Sequence, residues 1–101
     1  MTPDSNPTPA PQMSIPEALE LAYGHWNAGQ VDQAEMFCQR VLSIWPGQSD
    51  AHHLLGIMAH AYGNLDLGIS HLIKACQAPR AKAIYFSNLA EMFRQKGLLA
   101  E

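Results

Sequence analysis

The sequence predicts an all-α fold built from stacked helix–turn–helix repeats. Three sets of residues align when the 101-residue chain is shifted against itself by 34 residues: Leu21, Leu55 and Leu89; Ala22, Gly56 and Ala90; Gly29, Gly63 and Gly97. Between the aligned glycines, apolar residues recur at helical spacing. A fixed period of this size is typical of a helical repeat array rather than of an ordinary globular domain.

The first repeat contains two predicted helices. Ser14 and Glu17 give the S-x-x-E pattern of a capping box, which marks the start of the first helix. Gly29 supplies the left-handed position that commonly ends a helix. The second helix is predicted from Asp32 to Trp45, and it opens with acidic residues that suit the positive end of a helix dipole.

Three more helices follow. Ser49 or Asp50 caps the third helix, and Gly63 ends it. The fourth is predicted over residues 66–77 and the fifth over 80–96, with a turn at Gly97. The apolar residues expected to be buried by the fifth helix are Ile84, Phe86, Leu89, Ala90 and Phe93.

Small residues are expected where the two helices of a repeat cross. The pairs are Ala22 with Ala34 and Gly56 with Gly68, and replacing Gly56 with leucine should overpack the crossing. Glycine lowers helix stability by ~1 kcal/mol relative to alanine. We therefore expect Gly68→Ala to stabilise the protein if one methyl group fits.

The period and its residue types resemble the tetratricopeptide repeat (TPR) family, which has leucine at repeat position 7, a small residue at 8 and glycine at 15. The resemblance implies a right-handed α-solenoid of antiparallel helix pairs, about two and a half repeats in five helices. It divides the chain into a tail, 1–13, and a TPR domain, 14–101, with repeats 15–48 and 49–82 and a partial repeat 83–101.

The sequence departs from the family pattern at several positions. The aromatic residue of position 11 is kept only by Phe93, since His25 and Ala59 occupy the other two places, and Pro79 comes one residue early. Residues 97–101 resemble the turn and first residues of a further second helix. We expect an N-terminal segment of a longer bacterial TPR protein, with an uncovered fifth helix that can self-associate.

Composition excludes several classes of protein. The net charge is −3 and the six Lys and Arg residues are scattered, which argues against a nucleic-acid partner. No apolar run is long enough for a membrane span, and the N-terminus has no signal-peptide pattern. Residues 1–13 hold four prolines and are predicted to be a disordered tail. Cys38 and Cys76 are expected to be free thiols, which favours a cytoplasmic location.

No pattern indicates catalysis, a cofactor or a metal site. The glycines are spaced at repeat turns rather than in a phosphate loop. Among the five histidines, His53 and His60 share a helix face, but they are about 10 Å apart along the axis. That separation is too large for both to bind one metal ion. We therefore predict that the chain itself is not an enzyme.

The resemblance to TPR proteins implies a concave groove lined by repeat positions 2, 5, 9 and 12. Carried over by position, the groove residues are Leu19, Tyr23 and Trp26; Asp50, His53, Ile57 and His60; Ile84, Ser87, Glu91 and Arg94. This apolar and aromatic surface suits an extended peptide or a helix of a partner protein. It does not suit the acidic C-terminal tails bound by chaperone-associated TPR modules, because Glu91 would repel a carboxylate.

The predicted function is a protein-interaction module with a scaffold or adaptor role. One alternative is a substrate-targeting TPR arm of a larger enzyme that resembles O-GlcNAc transferase, since the stretch 19–64 looks similar to such arms in bacterial glycosyltransferases. Against this, Glu20 and Leu54 occupy places where the eukaryotic enzyme has asparagine, and only Asn88 keeps it. A further alternative is a homo-oligomerisation scaffold.

Overall fold

A computed structural model describes residues 13–100, and side chains as far as Leu98. Within that range the chain is all-α, as predicted, with no strand and five helices: α1 (Ile15–Asn27), α2 (Val31–Ile44), α3 (Ser49–Ala61), α4 (Leu65–Cys76) and α5 (Ala83–Ala100). Apart from Met13, the tail predicted over residues 1–13 lies outside the described residues, as does Glu101.

The predicted boundaries of α1 are confirmed. Ser14 Oγ accepts a hydrogen bond from the Glu17 amide at 3.2 Å, and the Ser14 amide donates to Glu17 Oε1 at 2.9 Å, which completes the capping box. Gly29 and Gly63 have φ values of 79° and 86°, so both occupy the left-handed region. The three-residue connections 28–30 and 62–64 therefore return α2 and α4 antiparallel to the helices before them.

The start of α3 differs from the prediction. Gln48 is the N-cap, and its Oε1 accepts from the Ala51 amide at 2.7 Å, whereas Ser49 is already helical. A glutamine side chain can reach this amide because the chain enters the helix from the extended Gln48 backbone. Asn64 caps α4 in the same way, accepting from the Leu67 amide at 3.2 Å.

Each helix packs mainly on its neighbours in sequence, and α3 with α4 forms the most extensive contact. One cluster of buried residues belongs to α1, α2 and α3: Ala18, Leu19, Ala22, Ala34, Cys38, Val41, Ala51, Leu54, Leu55 and Met58. A second cluster joins α4 to α5: Ile69, Leu72, Ala75, Tyr85 and Met92. Both cysteines are free, and burial raises the pKa of the Cys38 thiol to about 12, which keeps it protonated and unreactive.

Gly56 and Gly68 bring the backbones of α3 and α4 together, as the sequence predicted. A Cβ atom placed on Gly68 would lie 3.0 Å from the Gly56 carbonyl oxygen and 3.2 Å from Met92 Sδ. The Gly56 carbonyl belongs to a packed helix, so it can move away from the added atom only if α3 and α4 separate. We therefore expect Gly68→Ala to lower stability rather than raise it, because this crowding should outweigh the gain in helix propensity.

The fifth helix departs most from the prediction. It begins three residues later than expected and continues through Gly97, where a turn was predicted. Tyr85 and Met92 are its buried side chains, whereas Phe86 is 51% and Phe93 49% exposed. In the described residues no helix follows α5, so it contacts the preceding helices only. Within residues 13–98 no other helix covers the face that carries the two phenylalanines.

Candidate functional site

The eleven residues predicted to line a groove lie on three helices. Leu19, Tyr23 and Trp26 are on α1, Asp50 to His60 are on α3, and Ile84 to Arg94 are on α5. Hydrogen bonds link α1 to α3 and α3 to α5, so these alternate helices lie side by side. We call this set of eleven residues the groove face.

His53 lies at the centre of the groove face and is bonded to both neighbouring helices. Asn88 Nδ2 donates to His53 Nε2 at 2.9 Å, so the imidazole carries its proton on Nδ1. His53 Nδ1 then donates to Tyr23 Oη at 3.0 Å, and the Tyr23 hydroxyl donates to the Asp50 carbonyl at 3.4 Å. One neutral imidazole thus connects α1, α3 and α5 through a continuous chain of hydrogen bonds.

A second set of polar contacts converges on the Asp50 carboxylate. Tyr85 Oη donates to Asp50 Oδ1, and Lys82 Nζ lies 3.2 Å from the same oxygen. The Tyr85 ring packs against the His53 ring with centroids 4.6 Å apart. Burial, followed by the hydrogen bond to Asp50, raises the pKa of Tyr85 to about 12, and burial also raises the pKa of Tyr23. Both phenols therefore remain protonated donors at neutral pH.

The groove face contains a cavity of about 470 Å³ between α1 and α3. We call it the groove cavity, and its lining includes Leu19, Glu20, Tyr23, Trp45, Asp50 and Lys82. Its volume is in the range of sites that take a small ligand or a few side chains of a peptide. The cavity has an apolar wall from Leu19, the phenol of Tyr23, two carboxylates from Glu20 and Asp50, and the ammonium group of Lys82.

The other predicted groove residues differ in how far they are exposed to solvent. Leu19 and His53 are buried, so little of either is available to a partner, whereas Trp26, Ile57 and His60 are half-buried. His60 Nε2 donates to Gln95 Oε1 at 2.7 Å, which is the third side-chain hydrogen bond between α3 and α5. Ile84, Ser87, Glu91 and Arg94 are exposed at the α5 edge.

Glu91 and Arg94 neutralise each other at that edge. Arg94 donates through Nε at 3.0 Å and through Nη2 at 2.5 Å to the two Glu91 oxygens. These bonds, with one from Gln95, lower the pKa of Glu91 to about 2, so its carboxylate is charged throughout the physiological range. The negative charge expected to repel a carboxylate is therefore present but paired.

Lys82, Tyr85 and Asn88 belong to the site, although the sequence analysis did not place them there. The number of residues that separates the contacting side chains could have identified them. Tyr85 with Asp50, Asn88 with His53, and Gln95 with His60 are each 35 residues apart, one more than the 34-residue period. A comparison at a shift of 35 would have paired these side chains across α3 and α5.

Another histidine contact lies away from the groove face. His52 Nε2 donates to the Pro46 carbonyl at 2.8 Å, so His52 Nδ1 must accept from His71 Nδ1, 3.1 Å away. Burial and the neighbouring His52 lower the pKa of His71. Nowhere among the described residues do three or more possible metal ligands of the His, Cys, Asp or Glu type gather.

Comparison with known proteins gives one partial similarity. A 74-residue stretch is 31% identical to a Pseudomonas putida protein named probable biofilm formation methyltransferase WspC. The stretch covers 73% of this chain but only 18% of that protein, so the chain spans less than a fifth of its relative. No family model matches the chain, and no solved structure matches it. Over residues 13–100, none of the helices has the length and apolarity needed to cross a membrane.

We expect acid to destabilise the protein through His53. Burial lowers the folded-state pKa of His53 below its usual value of ~6.5, despite the nearby Asp50 carboxylate. As the pH falls through ~6.5, His53 of the unfolded chain binds a proton more readily than His53 of the folded chain. The free energy of unfolding therefore falls as pH falls. Melting temperatures between about pH 7.5 and 5.5 should therefore decrease, and His53→Gln should flatten part of the slope. An unchanged slope in His53→Gln would assign the acid sensitivity to other groups, His71 first.

Proposed function

We propose that the five helices form a TPR-type, right-handed helical array that binds a segment of a partner protein along the groove face. The 34-residue period, the antiparallel pairs α1–α2 and α3–α4, and the left-handed glycines at equivalent turns support the TPR interpretation. The free thiols Cys38 and Cys76 support a cytoplasmic location.

The observation that carries the binding proposal is the hydrogen-bonded chain through His53 beside the groove cavity. The chain fixes Tyr23 and Asp50 before a ligand arrives, and preorganised polar groups beside an apolar floor are typical of binding sites. The imidazole and both phenols are engaged with one another or with Asp50. This arrangement favours a role in binding rather than catalysis.

Blocking the groove cavity tests this proposal. Peptides selected from a displayed random library on the whole chain should bind Glu20→Trp at least about tenfold more weakly, because Glu20 lines the cavity and an indole there fills it. Ser70→Trp, which adds the same side chain at an exposed position on α4, should bind the peptides as the natural chain does. Calorimetric titration measures both affinities. Equal affinity in Glu20→Trp, or a failure to select any peptide, would refute the groove assignment.

The first alternative remains an arm of a larger enzyme. The similarity to a methyltransferase supports it in general form, because the matched stretch occupies a small part of that longer protein. The narrower version, an arm of an O-GlcNAc-transferase-like glycosyltransferase, rests on the sequence resemblance alone. Either arm would use the groove face to select the substrate protein.

The second alternative, homo-oligomerisation, is favoured by the uncovered face of α5. Phe86, Phe93 and Leu98 are each about half exposed on one helix. Phe86 and Phe93 are seven residues apart and therefore lie on the same side of α5, and exposed apolar side chains that share one side of a helix are characteristic of an interface. Sedimentation velocity should then show concentration-dependent dimers that the double variant Phe86→Ser with Phe93→Ser abolishes.

A further inference from the structure

A second cavity, of about 740 Å³, lies outside the groove face, and the proposed function does not use it. The α2–α3 connection, 45–48, contributes one wall, and the α4–α5 connection, 77–82, contributes the other. We call it the loop cavity. Its volume lies in the range of natural binding sites.

The loop cavity is positively charged although the chain carries a net charge of −3. Lys74 and Arg80 line it, and none of the described lining residues is acidic. Three of the other four cations are ion-paired, Lys82 with Asp50, Arg94 with Glu91 and Lys96 with Asp66, and the fourth, Arg40, lies outside the cavity. Within residues 13–98, Lys74 and Arg80 have no such acidic partner. Two uncompensated cations therefore share one cavity.

The rest of the lining is mostly apolar. Trp45 follows the last turn of α2 and is 54% exposed, and Pro46 and Pro79 stand on the two walls. An exposed tryptophan beside rigid prolines offers a large surface that costs little side-chain entropy to bury. Tryptophan and arginine are also the residue types that dominate binding energy at protein interfaces.

The inner wall of the loop cavity is fixed in place. His52 lines the cavity and is only 5% exposed, and its two ring nitrogens are bonded to Pro46 and His71. Gln48, which caps α3, holds the end of the same connection. The cavity is thus preorganised, so a ligand would not have to order it.

We propose that the loop cavity binds an acidic peptide segment of a partner protein, whose carboxylates pair with Lys74 and Arg80 while an apolar side chain packs on Trp45. Arginine and lysine both form charge-assisted hydrogen bonds with carboxylates. The segment must carry both features, because neither the cations nor the indole fills the cavity alone. Trp45 also borders the groove cavity, so the two cavities share this residue, whereas Lys74 and Arg80 line the loop cavity alone.

Trp45 reports on this site. In Trp26→Phe it is the only tryptophan of the chain, so its fluorescence can be titrated with a capped pentapeptide of phenylalanine flanked by two glutamates on each side. We expect a saturable change in emission that weakens with added salt. A peptide with glutamine in place of glutamate should bind at least about tenfold more weakly.

Charge variants localise the interaction. Added to the Trp26→Phe background, Lys74→Gln with Arg80→Gln should weaken the glutamate peptide at least about tenfold. Arg40→Gln, which removes an exposed cation outside the loop cavity, should leave the affinity unchanged. The same double variant should bind a peptide selected for the groove cavity as the natural chain does, because neither Lys74 nor Arg80 lines that cavity, so failure at one site is distinguishable from failure at the other.

Three results would overturn the proposal. The first is equal binding of the glutamine peptide, which would make the loop cavity an apolar patch only. The second is undiminished binding to the double variant. The third is an absent signal accompanied by dimerisation in sedimentation velocity that Trp45→Ala prevents, because a second copy of the chain would then occupy the cavity.

Discussion

Replacing Gly56 with alanine is expected to lower the free energy of unfolding by about 3 kcal/mol, at or above the upper end of the usual range for overpacked cores. The added Cβ would lie 2.1 Å from Leu72 Cδ2 and 3.0 Å from the Gly68 carbonyl oxygen. Leu72 is fully buried, so its side chain has no free space to enter. The methyl group would force α3 and α4 apart. Urea denaturation followed by circular dichroism measures the change.

Gly24 provides the matched control. It lies inside α1, it is exposed, and an added Cβ would meet no atom within 4 Å. The same glycine-to-alanine change should therefore raise the free energy of unfolding by about 0.5–1 kcal/mol through helix propensity. If Gly56→Ala proved as stable as Gly24→Ala, the close contact between α3 and α4 would be wrong.

Replacing Tyr85 with alanine is expected to cost about 3–5 kcal/mol, as for other large buried aromatic side chains. Tyr85 is 1% exposed, and its removal takes away the ring that packs on His53 and the hydroxyl that bonds Asp50. Because Tyr85 and Met92 are the buried side chains of α5, the substitution should mainly weaken the packing of α5 against the rest of the protein. Hydrogen exchange should show α5 amides losing protection before those of α1 to α4.

The neighbouring residue distinguishes this effect from general damage to α5. Phe86→Ala removes an aromatic ring of similar size from the uncovered face, so stability should change by less than about 0.5 kcal/mol. The same substitution should weaken any self-association. Comparable losses of stability in Tyr85→Ala and Phe86→Ala would mean that α5 packs through the other face.

The sequence was sufficient to predict the all-α class, the order of the five helices and the turns at Gly29 and Gly63. Those features depend on local chemistry: a capping box, left-handed glycines and helical spacing of apolar residues. The prediction of a turn at Gly97 was wrong because glycine permits a turn without requiring one. At the two earlier glycines a following helix packs back and stabilises the turn, whereas α5 simply continues.

The buried face of α5 could not be predicted from its apolar residues. By the repeat period, Phe86 and Phe93 align with His52 and Ala59 of α3. His52 bonds His71 of α4, and in the described structure α5 has no equivalent partner. Tyr85 is buried instead because its hydroxyl meets Asp50, a long-range contact that local patterns do not encode. For the same reason, the sequence predicted only part of the candidate site. Tyr23, Asp50 and His53 were named, but their partners on α5 were not.

The bonding of His53 has a consequence for communication across the molecule. A neutral imidazole has one proton, which here points from Nδ1 to Tyr23 while Nε2 accepts from Asn88. If a ligand in the groove cavity turned the Tyr23 hydroxyl so that it donated to Nδ1, the imidazole proton would have to move to Nε2. Asn88 would then have to rotate its amide to offer oxygen in place of nitrogen. An event at α1 would thus reach α5 as the half-turn of a single amide group, with no helix displaced.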